Sequence, residues 1–94
     1  MASADLIAKA KMARRMTTDA FDSQVSDLLD AAFLDLGIAG VEIPETPGPL
    51  VETAAITYFL LHFGEPDDFD RLKRSYDEQK AQLRTATGYT DWRR

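Results

Sequence analysis

The chain has 94 residues, no cysteine, a single histidine and a formal net charge of −5. That length is one domain with a thin core, and the missing thiols exclude a disulfide staple or a thiolate metal site. The acidic balance argues against a protein that grips duplex DNA, which needs clustered Lys and Arg to displace counterions.

The charge is unevenly placed. Every Lys and Arg lies within residues 9–15 or 71–94, whereas twelve of the sixteen carboxylates lie between residues 16 and 70. The opening MASADLIAKAKMARRM has basic residues but no apolar h-region, so no signal peptide is expected. The longest mostly apolar stretch, AAITYFLLHF, is too short to cross a bilayer. A soluble, intracellular protein without a membrane partner is the expectation.

Residues 5–15, DLIAKAKMARR, are good helix formers, with Ser3 as N-cap and a basic last turn suited to the helix dipole. Thr17, Thr18 and Asp19 should break this helix, and Thr18 should cap the next. The second predicted helix, 19–36, is the clearest element. Phe21, Val25, Leu28, Leu29, Ala32, Phe33 and Leu36 recur at steps of three and four and form one apolar face. Asp22, Asp27, Asp30 and Asp35 interrupt only the other side, and Gly37 follows as the expected C-cap.

Residues 37–49, GIAGVEIPETPGP, make a long Gly- and Pro-containing loop that no regular helix can pass through. Ile38, Val41 and Ile43 are apolar enough that the loop is expected to lie against the domain or a neighbour, with a disordered linker as the alternative. The third predicted helix, 50–63, LVETAAITYFLLHF, is apolar almost all round, so it should be central, with part of its surface left for another subunit to close. Gly64, Glu65 and Pro66 end it. The fourth, 67–86, carries Phe69, Leu72, Tyr76, Gln79 and Leu83 on one side, with Asp67, Asp68 and Asp70 at its positive end. The expected fold is all-α: a small bundle of three main helices plus a short N-terminal one, with one long loop.

Chemistry is sparse. Asp67, Asp68 and Asp70, or Asp27 with Asp30, could be read as divalent-ion ligands. The first group sits where a helix N-terminus welcomes acids and lacks the alternation of a calcium loop. His62, at the end of an apolar helix, reads as structural before it reads as a base. None of the G-x-S-x-G, H-E-x-x-H or phosphate-loop motifs occurs. No catalytic residue, cofactor or metal is assigned. Tyr58 and Tyr76 sit on helices, and Tyr89 and Trp92 on the tail; the four are candidate interface residues, since aromatics are enriched where chains meet. Tail packing on its own core is the alternative for the last two.

The segment LKRSYDEQKAQLRTATGYTDW resembles the C-terminal part of the small head–tail connector proteins of tailed phages and prophages. AFDSQVSDLLDAAFLDLGIAGV resembles the second-helix region of that family. The likeness covers residues 17–92, so the chain is expected to be one connector-like domain over 1–94, with 1–16 departing from the usual opening and 87–94 a C-terminal tail.

The resemblance implies a structural subunit of a ring of about twelve copies beneath the portal, which extends the DNA channel and carries the tail-completion proteins. It implies self-assembly, contact with the portal protein and the tail-completion proteins, and passing DNA that is not specifically bound. It places the protein in the host cytoplasm during assembly and at the head–tail junction of the virion, and implies no enzymatic role. Asp22, Asp27, Asp30, Asp35, Glu42 and Glu45 are then candidates for an acidic channel surface that repels DNA. The alternative is a small helical regulatory or adaptor protein working as a monomer or dimer.

Overall fold

A computed structural model describes residues 2–43, 48–64 and 66–85. Over these residues the chain is all-α, with four helices and no strand. They are α1 (Ala4–Arg14), α2 (Asp22–Ile38), α3 (Pro49–His62) and α4 (Phe69–Thr85).

α1 begins as expected: the Ser3 hydroxyl accepts from the Leu6 N–H at 3.1 Å. It ends one residue early, because Arg15 turns into the left-handed region at φ 60°. The Arg15 and Met16 N–H groups then fold back on the last carbonyls, with Met16 N–H reaching Lys11 C=O at 2.9 Å.

α2 begins three residues later than the sequence suggests. Thr18 does not cap it; its hydroxyl accepts from the Ala20 N–H at 3.2 Å, and Phe21 occupies the N-cap position without a side-chain bond. The reason is electrostatic. Lys11 of α1 reaches both Asp19 and Asp22 at 2.8 Å, holding residues 18–21 as a turn across the end of α1.

The other end of α2 also differs. Gly37 lies inside the helix, and Gly40, at φ 101°, makes the left-handed turn. The Val41 N–H donates back to the Leu36 carbonyl at 2.9 Å, which closes the helix and carries Val41 inward. The loop therefore packs on the domain where it is described: Val41 is buried and Ile43 lies against the same cluster, while Ile38 stays in solvent.

α3 starts with Pro49 just inside Gly48, the position where a missing N–H costs nothing. Gly64, at φ 69°, takes the chain out of it. α3 is the central element and packs against α1, α2 and α4. The molecule measures 44 × 29 × 18 Å, so its thin dimension holds about two helix diameters and only one helix can be surrounded.

Two cores share α3. Leu6, Ala10, Val25, Leu29 and Phe59 join α1, α2 and α3. Leu36, Val51, Leu61, Leu72, Tyr76 and Leu83 join α2, α3 and α4. Ala10, Ala32, Ala54 and Ala55 are all fully buried, and their small side chains let the helices approach closely.

The opening expected on α3 is therefore mostly filled by the chain's own helices; Leu50 alone of its large apolar side chains is as much as 48 % exposed. The strongly exposed large apolar groups lie elsewhere: Met12 on α1, and Leu34 and Ile38 on α2.

Candidate functional site

Three features of this fold bear on function: a polar knot between α2 and α4, a set of ion pairs that latches the basic helices onto the acidic centre, and two clefts near the end of α3.

The knot is built on Tyr76. Its ring is buried against Tyr58, with centroids 5.3 Å apart and edge to face, and its hydroxyl donates to Asp35 Oδ2 at 2.5 Å. Lys80, one turn further along α4, donates to the same oxygen at 3.3 Å while its ammonium lies 5.1 Å from the Tyr76 ring centroid. Tyr58 also stacks on His62, centroids 4.2 Å apart.

Burial pushes the Asp35 carboxyl upward, but the Tyr76 hydroxyl and the Lys80 ammonium outweigh it and hold it below the usual carboxylate range. Burial first, and then the Asp35 carboxylate, drive the Tyr76 phenol far above its ordinary value. A proton shuttle near neutral pH needs groups moved toward neutrality. Here each is moved away from it, so Tyr76 is a fixed donor and Asp35 a fixed acceptor. The knot holds α4 on α2.

The ion pairs explain the charge pattern. Lys9 of α1 donates to Glu52 of α3 at 3.1 Å, Lys11 to Asp19 and Asp22, and Lys80 of α4 to Asp35. Basic residues from the two ends of the chain thus clasp the acidic middle. Asp27 and Glu42 remain exposed and form no ion pair among the described residues.

The first cleft, about 510 Å³, opens between α2 and the end of α3 and is lined by Gln24, Asp27, Leu28, His62, Phe63 and Gly64. Just along α2 from it stand Leu34 and Ile38, 70 % and 86 % exposed. At 100° per residue, Asp27, Leu34 and Ile38 fall within about 20° of one line, facing away from the buried Val25, Leu29 and Leu36.

The second cleft, about 350 Å³, lies between the end of α1 and the start of α4. Arg14, Arg15 and Arg71 line it around a floor that includes Leu60 and Leu72, with Asp68 the one carboxylate among its described lining residues. Asp68 pairs with Arg71, which holds its carboxyl below the ordinary range. Arg14 is fixed by its guanidinium lying over the Phe63 ring, 5.5 Å from the centroid.

The predicted site residues are thus dispersed. Tyr76 is buried in the chain's own core and Tyr58 half-buried beside it; Tyr89 and Trp92 lie outside the described residues. Of the predicted acidic surface, Asp22 turns toward α1 and Asp35 toward α4, Asp30 is half-buried, and Asp27 and Glu42 are exposed. Glu45 lies outside the described residues. Among the described residues no group of three His, Asp or Glu side chains could hold a metal ion, and no helix is long and apolar enough to cross a membrane.

Sequence reasoning missed two things. Leu34 and Ile38 fall off the buried stripe of α2, a signal that was present in the spacing. The meeting of Arg14 and Arg15 with Arg71 joins residues far apart in the chain and left no local trace.

No family model, no curated protein and no solved structure matches this chain.

Proposed function

We propose that the chain is a structural subunit of a phage head–tail connector ring. It extends the portal's DNA channel and joins the packaged head to the tail-completion proteins. The observation that carries this reading is the exposed pair Leu34 and Ile38 on a helix of a subunit whose interior is otherwise closed. A side-by-side apolar pair of this kind, next to acidic groups, suits a surface made to be covered by protein. The resemblance of residues 17–92 to connector proteins supplies the identity of the assembly.

The charge distribution supports the passive role toward DNA. The acidic middle of the chain has no Lys or Arg, and the knot and ion pairs use basic side chains inside the subunit. A ring exposing such surface to its lumen repels the phosphate backbone instead of binding it. During assembly the subunit belongs in the host cytoplasm, and afterwards at the head–tail junction.

The test is the mass of the purified chain over a broad concentration range, by light scattering or native mass spectrometry, alone and with the portal protein of the same phage. A species of about twelve subunits, free or on the portal, supports the reading. A monomer or closed dimer indifferent to the portal overturns it and favours the adaptor role.

A further inference from the structure

We infer that, in the ring proposed above, Tyr89 and Trp92 in the tail of one copy cover Leu34 and Ile38 on α2 of the next. This assignment rests on the ring reading and names the occupant of the surface that carries it.

Leu34 and Ile38 stand one turn apart on α2, and each is more than two-thirds exposed. The other exposed large apolar side chains lie elsewhere. Phe21 meets the Phe63 ring, Met12 precedes Arg14, whose guanidinium lies over that same ring, and Phe69 opens α4 beside the end of α3. Leu50, half-covered, stands alone at the start of α3.

The tail departs close to the α2 pair. Lys80 of α4 reaches Asp35, which sits between Leu34 and Ile38 in the sequence. Thr85, the last residue of α4, is five residues further on, about 7.5 Å along the axis. Residues 86–94 follow it, and nine residues span up to about 30 Å when extended.

Copies related by rotation about a ring axis hold the same part of the molecule at the same level. The neighbour's pair is therefore level with the pair of the copy that sends the tail, and one subunit width away. The two shorter dimensions of the molecule are 29 and 18 Å, so the tail is long enough to reach it. It is also long enough to turn back on its own copy. The ring reading, in which another subunit closes the pair, sends it across.

The chemistry of the two surfaces matches. Tyr89 and Trp92 are large aromatics of the kind enriched at the centres of interfaces, and Arg93 and Arg94 follow them. Asp27, two turns before Leu34, and Glu42, just past the end of α2, are exposed and form no ion pair among the described residues. The pair thus lies between carboxylates suited to the tail's arginines. The rings supply the adhesion and the charges the orientation. Tail and α2 face are unlike surfaces, one of each per copy, so the contact is heterologous and propagates until the ring closes.

Trp92 is the chain's single Trp, so its fluorescence reads the tail alone. Three full-length chains are compared by fluorescence and native mass spectrometry across a range of concentrations, alone and with the portal protein. They are wild type, Leu34→Lys with Ile38→Lys, and Tyr89→Ala with Trp92→Ala. The two lysines enter at exposed positions near a helix C-terminus, where cations are favourable, so helicity and Tm should stay those of wild type. Wild-type Trp92 emission should move to shorter wavelength as the chain associates. Each variant alone should self-associate at least ~10-fold more weakly. Mixed, the two variants should form one-to-one pairs. The emission should shift again, although the only Trp then present belongs to the copy whose α2 pair is lost. A shift already complete in the dilute monomer, and absent from the α2 variant, would put the tail on its own copy and overturn the exchange. Wild-type assembly that neither variant weakens, or a mixture that associates no better than its parts, would overturn it while the ring stands. If wild type never assembles, even with the portal protein, the ring reading falls and the exchange with it.

Discussion

The Tyr76 hydroxyl donates to the Asp35 carboxylate at 2.5 Å, across 41 residues of sequence, and fastens α4 to α2. α4 is otherwise held chiefly by its packing on α3. Tyr76→Phe keeps the ring in place but strands the carboxylate beside Lys80. With Asp35 partly in solvent, the expected loss is about 1–2 kcal/mol by urea unfolding. Asp35→Asn should cost a similar amount, and the double variant less than the two added together. Strict additivity would mean the bond contributes nothing.

The same site sets a pH dependence. The folded-state pKa of Asp35 lies below that of an unfolded Asp, so its contribution is present above about pH 4 and is lost as pH falls through the folded value. Asp19 and Asp68 are shifted the same way by Lys11 and Arg71. Stability should therefore fall below about pH 4, and Asp35→Asn should make that acid limb shallower. At the other extreme, Lys9 and Lys11 are raised by their carboxylate partners and Tyr76 by burial, so stability should also decline above about pH 10. Denaturant midpoints across the pH range check both limbs.

Two glycines three residues apart should respond with opposite signs. Gly37 lies within α2 and a methyl there would meet nothing, so Gly37→Ala should stabilise by about 0.5–1 kcal/mol. Gly40 is equally open, but its φ of 101° strains any L side chain, and Gly40→Ala should destabilise by about 1 kcal/mol. Equal effects at the two positions would contradict the placement of the turn.

Phe59 is fully buried where α1, α2 and α3 meet, so Phe59→Ala should cost about 3–5 kcal/mol, a large part of the stability of a domain this size. Leu34→Ala and Ile38→Ala should change the thermal unfolding of the isolated subunit by less than about 0.5 kcal/mol. A large loss at Leu34 or Ile38 would show that α2 is covered within the subunit.

By itself the sequence determined the four helices, each within a few residues, and the central place of α3. Both follow from local regularities: apolar residues at steps of three and four, Ser3 before α1, and a helix apolar on every side. Only the tertiary structure decided that Lys11 delays α2 by drawing in Asp19 and Asp22, that Gly40 and not Gly37 makes the turn, and that Tyr76 meets Asp35. It alone brought Arg14 and Arg15 to Arg71. The reason is range. Helical periodicity is set by neighbours within one or two turns, whereas the side of a helix that stays exposed, and the charge that finds a partner, depend on which other helices arrive beside it.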